Sequence, residues 1–292
     1  MPFAALLLFA LTPGRAHSLQ QAPIIEGTGS HTFPVTTTSK EAQKYFDQGL
    51  VLAYGFNHQE AHRSFLYAAQ LDPKCAMAYW GAALVLGPNL NAGMPKSANQ
   101  EAHDLAQKAL DNLDDESPVE QALVRAVQAR YSGANRSDAD QAYANAMRKV
   151  AEQFPDDPDV LALTAESLMD LHPWDFYKAD KSPQPWTKEI TDMLDRSLKI
   201  DPSNPATNHF IIHAWEASAD PDHATPYADR LRFLVPGVSH LAHMPSHIYL
   251  RVGRYHEATE CNLRAAKAYD DYAATCEKAG LKPIGGYKMH NW

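Results

Sequence analysis

The sequence of 292 residues contains only three cysteines, Cys75, Cys261 and Cys276. None of them stands in the CxxC spacing that marks a structural zinc site or a redox motif. If the chain is exported, Cys261 can pair with Cys276 across the segment between them. The alternative is that all three are isolated thiols packed between helices.

Positive charge is also scarce. The chain has 26 Lys and Arg against 35 Asp and Glu, which gives a formal net charge of −9. This balance excludes the basic surface that a nucleic acid or an anionic membrane requires. We therefore expect no nucleic-acid partner.

Long hydrophobic runs are missing as well. The apolar run from Phe3 to Leu11 is too short to span a bilayer, but its length suits the apolar region of a signal peptide. We expect residues 1–18 to be a signal peptide, residues 19–39 to be an extended leader, and the protein to be secreted or otherwise exported. No membrane span is expected.

Strand-like alternation, a Gly-rich phosphate loop and a GxSxG nucleophile motif are all absent from the sequence. What remains is helical, and it repeats. From Lys40 the chain places small and aromatic residues at fixed offsets, followed by a proline that ends the second helix: Gly49, Ala61, Phe65, Ala68 and Pro73. This pattern resembles the tetratricopeptide repeat family, in which two antiparallel helices approach closely at the small residues.

Continuing the count along the chain predicts about six irregular helix pairs. They begin near Lys40, Ala76, Pro118, Pro158, Pro205 and Ser239. Insertions fall at residues 87–100 and 172–186, and both should emerge at the same edge. The resemblance implies an all-α, right-handed superhelical solenoid over residues 40–292, in which each pair packs only on its neighbours. A complete C-terminal capping helix is not evident.

Two short segments strengthen the resemblance. YGFNH at Tyr54–His58 and HMPSHI at His243–Ile248 are similar to segments of exported tetratricopeptide proteins. The resemblance implies a fold and no particular activity.

Two histidine pairs stand out in the last third of the chain. His209 and His213 are four residues apart, as are His243 and His247, so each pair shares one helical face. The second pair follows the first by 34 residues, the period of a tetratricopeptide repeat. The pairs should therefore face each other on neighbouring helices, where four imidazoles can bind Zn, Fe or Cu.

The family resemblance further implies which positions line the concave groove. Glu166 is one of those positions, and its carboxylate can serve there as a metal ligand or as a general base. The resemblance places a set of ligand-binding or ligand-orienting residues in the same groove: Trp80, Asp170, Glu216, His240 and Arg251. Within that set, Asp170 and Glu216 are expected to hold imidazole tautomers.

Two functions follow from this reading. The first is an exported solenoid whose histidine-rich groove binds a metal ion and a small molecule or peptide, with a metal-dependent oxidoreductase or hydrolase as its catalytic form. The second is a metal-free interaction scaffold whose histidines are satisfied buried groups or ligand contacts. A closed pocket favours the first function and an open groove the second.

Overall fold

The computed structural model describes residues 21–131, 135–285 and 290, and no strand occurs within those ranges. The described residues form thirteen α-helices: α1 (Lys40–Tyr54), α2 (His58–Leu71), α3 (Ala76–Leu84), α4 (Asn99–Asp111), α5 (Pro118–Arg130), α6 (Arg136–Gln153), α7 (Pro158–Met169), α8 (Thr187–Ile200), α9 (Pro205–Trp215), α10 (Thr225–Leu234), α11 (Ser239–His243), α12 (Pro245–Arg251) and α13 (Tyr255–Lys278). Two 3-10 turns, Lys96–Ala98 and Pro221–Ala224, precede α4 and α10. The predicted all-α class is confirmed.

The helices pack as six consecutive pairs, with α11 and α12 together serving as the first helix of the sixth pair. The predicted starting points agree with the observed ones, and at four of the six a capping side chain fixes the start of the helix. At α9, for example, the Asn204 side chain accepts a hydrogen bond from the Thr207 amide, and Pro205 occupies the first turn. Such caps satisfy amide groups that have no partner within the helix.

Close packing between the pairs depends on glycine. The ring of Phe65 on α2 lies against Gly49 of α1 and Gly81 of α3. A Cβ atom would stand only 2.9 Å from that ring at Gly49 and 2.5 Å at Gly81. The repeat pattern therefore reflects a real steric requirement.

Both predicted insertions are loops. The segment between α3 and α4 is closed by an isolated bridge between Asn89 and Ala92, and the segment between α7 and α8 by one between Tyr177 and Pro183. Each loop thus carries a small ordered turn of its own.

Proline divides the last inner helix in two. Pro245 lies in the first turn of α12, as its chemistry requires, because it has no amide to donate and its ring clashes with a preceding carbonyl. His243 is the last residue of α11, so His243 and His247 lie on two different helices. The break changes the direction in which His243 and His247 project.

The array of pairs closes on itself. Helix α1 packs against α9, four pairs further along, and a Cβ atom at Gly55 would stand 2.7 Å from Val238 beside α11. On the outer side, the Tyr272 hydroxyl of α13 donates to a Glu60 carboxylate oxygen of α2 at 2.7 Å. The expectation that each pair contacts only its neighbours is therefore wrong: the first pair also contacts the fifth and sixth.

The leader lies along this closed body. Residues 21–39 contain no helix, and Ala22, Ile25 and Phe33 are buried. Residues 1–18, where the signal peptide is expected, lie outside the described residues. Among the described helices, none is both long enough and apolar enough to cross a membrane.

The cysteines are all free and buried. Cys261 and Cys276 stand on the same helix, α13, fifteen residues apart. At about 1.5 Å per residue the two are roughly 22 Å apart along the axis, far beyond disulfide reach. A disulfide between Cys261 and Cys276 of the same chain is therefore excluded.

The first prediction concerns His31, which fixes the leader to α7 through a 3.0 Å contact between its Nε2 atom and Asp159. Burial acts to lower the pKa of His31, but the hydrogen bond and charge of Asp159 outweigh it and raise that pKa. Stabilisation from a raised pKa is complete below the unfolded-state pKa and disappears as the pH rises through the folded-state pKa. His31→Gln should therefore lower the free energy of unfolding by about 1–2 kcal/mol more near pH 5.5 than near pH 8.5.

The measurement is urea unfolding of both proteins at the two pH values. His103→Gln, at a half-exposed position on α4, serves as the control and should behave like the wild type. Equal losses for His31→Gln at both pH values would contradict the assignment.

Candidate metal centre

Six imidazole rings meet on the inner surface of the closed array. They come from α9, from α11, from α12 and from the C-terminal residues: His209, His213, His240, His243, His247 and His290. Three groups of nitrogen and carboxylate oxygen atoms are close enough to hold a metal ion, with the atoms of each group within 4.8 Å of one another. The groups are His209, His213 and His240; His243, His247 and His290; and His213, Glu216 and His247.

Hydrogen bonds fix the tautomers of the two histidines on α9. The His209 Nδ1 atom lies 2.6 Å from the Tyr54 carbonyl oxygen, and the His213 Nδ1 atom lies 2.8 Å from Glu216 Oε1. Since a carbonyl and an ionised carboxylate only accept, each Nδ1 carries the proton and each Nε2 keeps its lone pair. Neither Nε2 atom has a hydrogen-bond partner among the described residues, although both are buried.

The histidines of the sixth pair are held in the same way. The His243 Nδ1 atom donates to Asn262 Oδ1 at 2.8 Å, and the His247 Nδ1 atom donates to Glu216 Oε2 at 2.7 Å. Their Nε2 atoms then face each other at 3.0 Å. At that distance the two nitrogens need a proton or a metal ion shared between them, because two facing lone pairs repel.

Glu216 directly follows the last residue of α9. Its carboxylate accepts hydrogen bonds from His213 of α9 and from His247 of α12, and so links the two helices. Burial acts to raise its pKa, but the hydrogen bonds from His213 and His247 outweigh burial and lower the pKa well below its ordinary value. Glu216 is therefore an ionised acceptor at neutral pH.

The imidazoles themselves are held neutral. Burial lowers the pKa of His209 and of His240 well below the ordinary histidine value, and neighbouring imidazoles add to the effect. Burial likewise lowers the pKa of His243 to about 3, with His247 contributing. Neutral imidazole is the form that binds metal ions.

Two aromatic side chains enclose the cluster. Phe56, in the turn after α1, has φ of 53°, and its ring centroid lies 4.6 Å from that of His209 and 6.0 Å from that of His213. A bulky residue in the left-handed region is unusual and is maintained only by strong surrounding contacts. Trp174, from the insertion after α7, meets His213 edge-on, with ring centroids 5.1 Å apart.

The acidic residues of α7 lie elsewhere. The Asp170 carboxylate binds the buried guanidinium of Arg130 at 2.7 Å and holds no imidazole tautomer. Glu166 shares a small cavity with Arg130 and His58 and joins none of the metal-type groups. Burial raises the pKa of Glu166 well above its ordinary value, with Asp170 adding to the effect. The structure does not bring Glu166 to the position of a metal ligand or of a base beside one.

Trp80 and Arg251 are also separate from the cluster. Trp80 is 1% exposed and packs near Phe46 in the helical core, while Arg251 ends α12 with an exposed side chain. Of the groove residues expected from the sequence, Glu216 and His240 are the two that reach the imidazoles.

The histidines that lie next to each other are not all the ones expected from the sequence. His213 and His247 are neighbours, but His209 lies beside His240, with ring centroids 5.0 Å apart, instead of beside His243. His290, Asn262 and Phe56 complete the site. Phe56 belongs to the YGFNH segment, which the sequence related to the fold and not to the site, and no sequence pattern pointed toward Asn262.

Comparisons with known proteins add little to this description. No family model matches the chain, and no curated protein matches it. Among solved structures it is similar to a MamA RS-1 ArsTM double mutant, at 9% identity and a TM-score of 0.36 over 80% of this chain and 96% of that one. It is also similar to YrrB, titled a TPR protein with an unusual peptide-binding site, at 15% identity and a TM-score of 0.32 over 82% of this chain and 92% of YrrB. MamA 41-end from Desulfovibrio magneticus RS-1 matches at 10% identity and a TM-score of 0.27 over 80% of this chain and 97% of that one. At such TM-scores the likeness carries no inference about ligands.

The second prediction tests Glu216. Replacing it by alanine leaves the Nδ1–H groups of His213 and His247 without an acceptor. Each orphaned donor costs about 1–3 kcal/mol, so Glu216→Ala should lower the free energy of unfolding by about 2–6 kcal/mol in the presence of a chelator.

Denaturant unfolding of the chelated proteins measures this loss. Glu257→Ala is a matched control, because Glu257 pairs with Arg254 at the surface and its loss should change the free energy of unfolding little. Similar small losses for both variants would show that Glu216 does not hold the two imidazoles.

Proposed function

We propose that this protein is a metal-binding helical-repeat protein whose inner histidine cluster coordinates a transition-metal ion. The supporting observation is the orientation of four imidazoles. His209, His213, His243 and His247 each use Nδ1 for a hydrogen bond to a protein acceptor, which leaves each Nε2 lone pair available. Metal-binding histidines are typically held by this arrangement.

The spacing of the donors suits such an ion. With bonds of about 2.0–2.1 Å to two Nε2 atoms that are 3.0 Å apart, the angle at the metal is about 95°. This angle lies near the right angle of an octahedral or square-planar site, and a small opening brings it to the tetrahedral value. Imidazole donors suit zinc, copper and iron.

A bound proton is a poor substitute for the metal. A proton between the Nε2 atoms of His243 and His247 would also remove the repulsion between their lone pairs. It would, however, create a buried imidazolium beside further imidazoles, and burial lowers the pKa of His243 to about 3. At neutral pH a metal ion is the more favourable occupant.

The metal-free scaffold is less well supported. A peptide-binding groove needs an open inner surface, and here α1 packs against α9 while Phe56 fills the space in front of His209. A small molecule fits better. A pocket of about 510 Å³, within the usual range for small ligands, is lined by Phe56, His58 and Asn89 of the first insertion.

Catalysis is not part of the proposal. The carboxylate expected to act as a base, Glu166, lies with Arg130 and not with the imidazoles. A metal-dependent oxidoreductase or hydrolase would need another proton acceptor.

We also propose that the chain is exported, on the basis of the apolar run from Phe3 to Leu11. N-terminal sequencing of the protein recovered from its native source should then begin after Ser18. Recovery of the intact N-terminus from a cell-internal fraction would contradict export.

The third prediction concerns the metal content of the purified protein. Untagged full-length protein should contain near-stoichiometric zinc, iron or copper by elemental analysis. The His213→Ala/His247→Ala variant should lose the metal because each substitution removes one Nε2 donor. Adding the same ion to stripped wild-type protein at about 100 times its Kd should raise the free energy of unfolding by about 2.7 kcal/mol.

The control is a second double variant, His103→Ala/His256→Ala. Both histidines are on the surface, with side chains 50% and 85% exposed, so this variant removes the same number of imidazoles away from the cluster. It should keep its metal. An unchanged unfolding temperature of the wild type with each added ion, together with no metal in the purified protein, would overturn the proposal.

A further inference from the structure

The six imidazoles fall into two groups of nearly equal shape. In an inner group of His209, His213 and His240, the ring centroids lie 4.8, 5.0 and 6.2 Å apart. In an outer group of His243, His247 and His290, the corresponding distances are 4.9, 4.9 and 6.1 Å. Each group brings three ligand nitrogens within 4.8 Å of one another.

One ion cannot engage all six. His209 shares a metal-type group with His213 and His240, and none of the described groups combines it with a member of the outer group. The groups are nonetheless adjacent. The ring centroids of His213 and His247 are 5.7 Å apart, and those of His240 and His290 are 5.2 Å apart. The donors are therefore arranged around two adjacent positions.

A single carboxylate connects the two positions. Glu216 Oε1 accepts from His213 of the inner group, and Glu216 Oε2 accepts from His247 of the outer group. Each group thus has one imidazole oriented by the same residue. A carboxylate placed between two sets of imidazoles also supplies negative charge to both.

We propose that the cluster holds two metal ions, an inner ion on His209, His213 and His240 and an outer ion on His243, His247 and His290. This proposal rests on the proposed metal-binding function and specifies its stoichiometry. With three protein ligands, each ion keeps an open coordination position for an external ligand. Two adjacent ions with open positions can share one small ligand, as two-metal sites do.

The two ions differ in their access to solvent. All three inner histidines are buried, at 0%, 1% and 1% exposed, and Phe56 packs against them. In the outer group, His290 is exposed and His247 is intermediate. A chelator should therefore remove the outer ion first and the inner ion more slowly.

The fourth prediction uses the full-length untagged chain, stripped with a chelator and reloaded with zinc alone. The wild type should retain two zinc ions per chain after dialysis, and a chromogenic chelator should extract them in two phases of equal amplitude. His209→Ala should retain one ion and lose the slow phase. His290→Ala should retain one ion and lose the fast phase.

The outcomes separate the two levels of the proposal. One zinc ion in the wild type, extracted in a single phase and lost in both variants, would overturn the two-ion arrangement and leave the metal-binding function intact. No zinc in the wild type would overturn both. X-ray absorption of the zinc-loaded wild type checks the same point without a variant that must fold, because two adjacent ions give a metal–metal scattering contribution and one ion does not.

Discussion

The contact that closes the array determines what the inner surface can hold. An open helical repeat leaves a groove facing water, but here α1 packs on α9 and the turn after α1 inserts Phe56 among the histidines. Closure removes water from the groove and fixes the distances between side chains of the first, fifth and sixth pairs. It also explains why α7 and α9 are buried on nearly every side, although inner helices of a repeat array usually keep one polar stripe.

Burial on this scale makes an unpaired polar group costly, and the molecule places two polar clusters inside the array. Around Arg130 it uses charge: the guanidinium lies against Asp170 and near Asp140, with the Tyr143 ring 4.5 Å from its carbon. Around α9 it uses neutral imidazoles, which carry a lone pair into the interior at a smaller desolvation cost than a carboxylate. In the first network the charges are paired, although the Tyr143 hydroxyl and the Oδ1 atom of Asp170 have no hydrogen-bond partner among the described residues. The second leaves the Nε2 atoms of His209 and His213 without a hydrogen-bond partner among the described residues, which is the property a ligand site needs.

The sequence predicted the parts of this structure that depend on neighbouring residues. Helix pairs follow from glycine and alanine at close contacts and from prolines at helix starts, so their boundaries were recoverable from Ala76, Pro118 and Pro205. The 34-residue period likewise placed His213 beside His247. The pairing of His209 with His240 was not recoverable, because the break at Pro245 shifts the projection of His243. Closure depends on the accumulated rotation of six irregular pairs, which no local pattern encodes, and it is closure that brings Phe56 to the site.

Sharing of Glu216 has a further physical consequence. A cation bound at an Nε2 atom withdraws electrons from the ring and strengthens the Nδ1–H donor on its other side, so each ion would tighten the hydrogen bond to the same carboxylate. Glu216 already accepts from His213 and His247 at once, so its orientation is set before either ion binds. Its negative charge, placed between the two imidazole groups, would offset part of the repulsion between two adjacent cations. Two imidazole groups held by separate neutral acceptors would lack that offset.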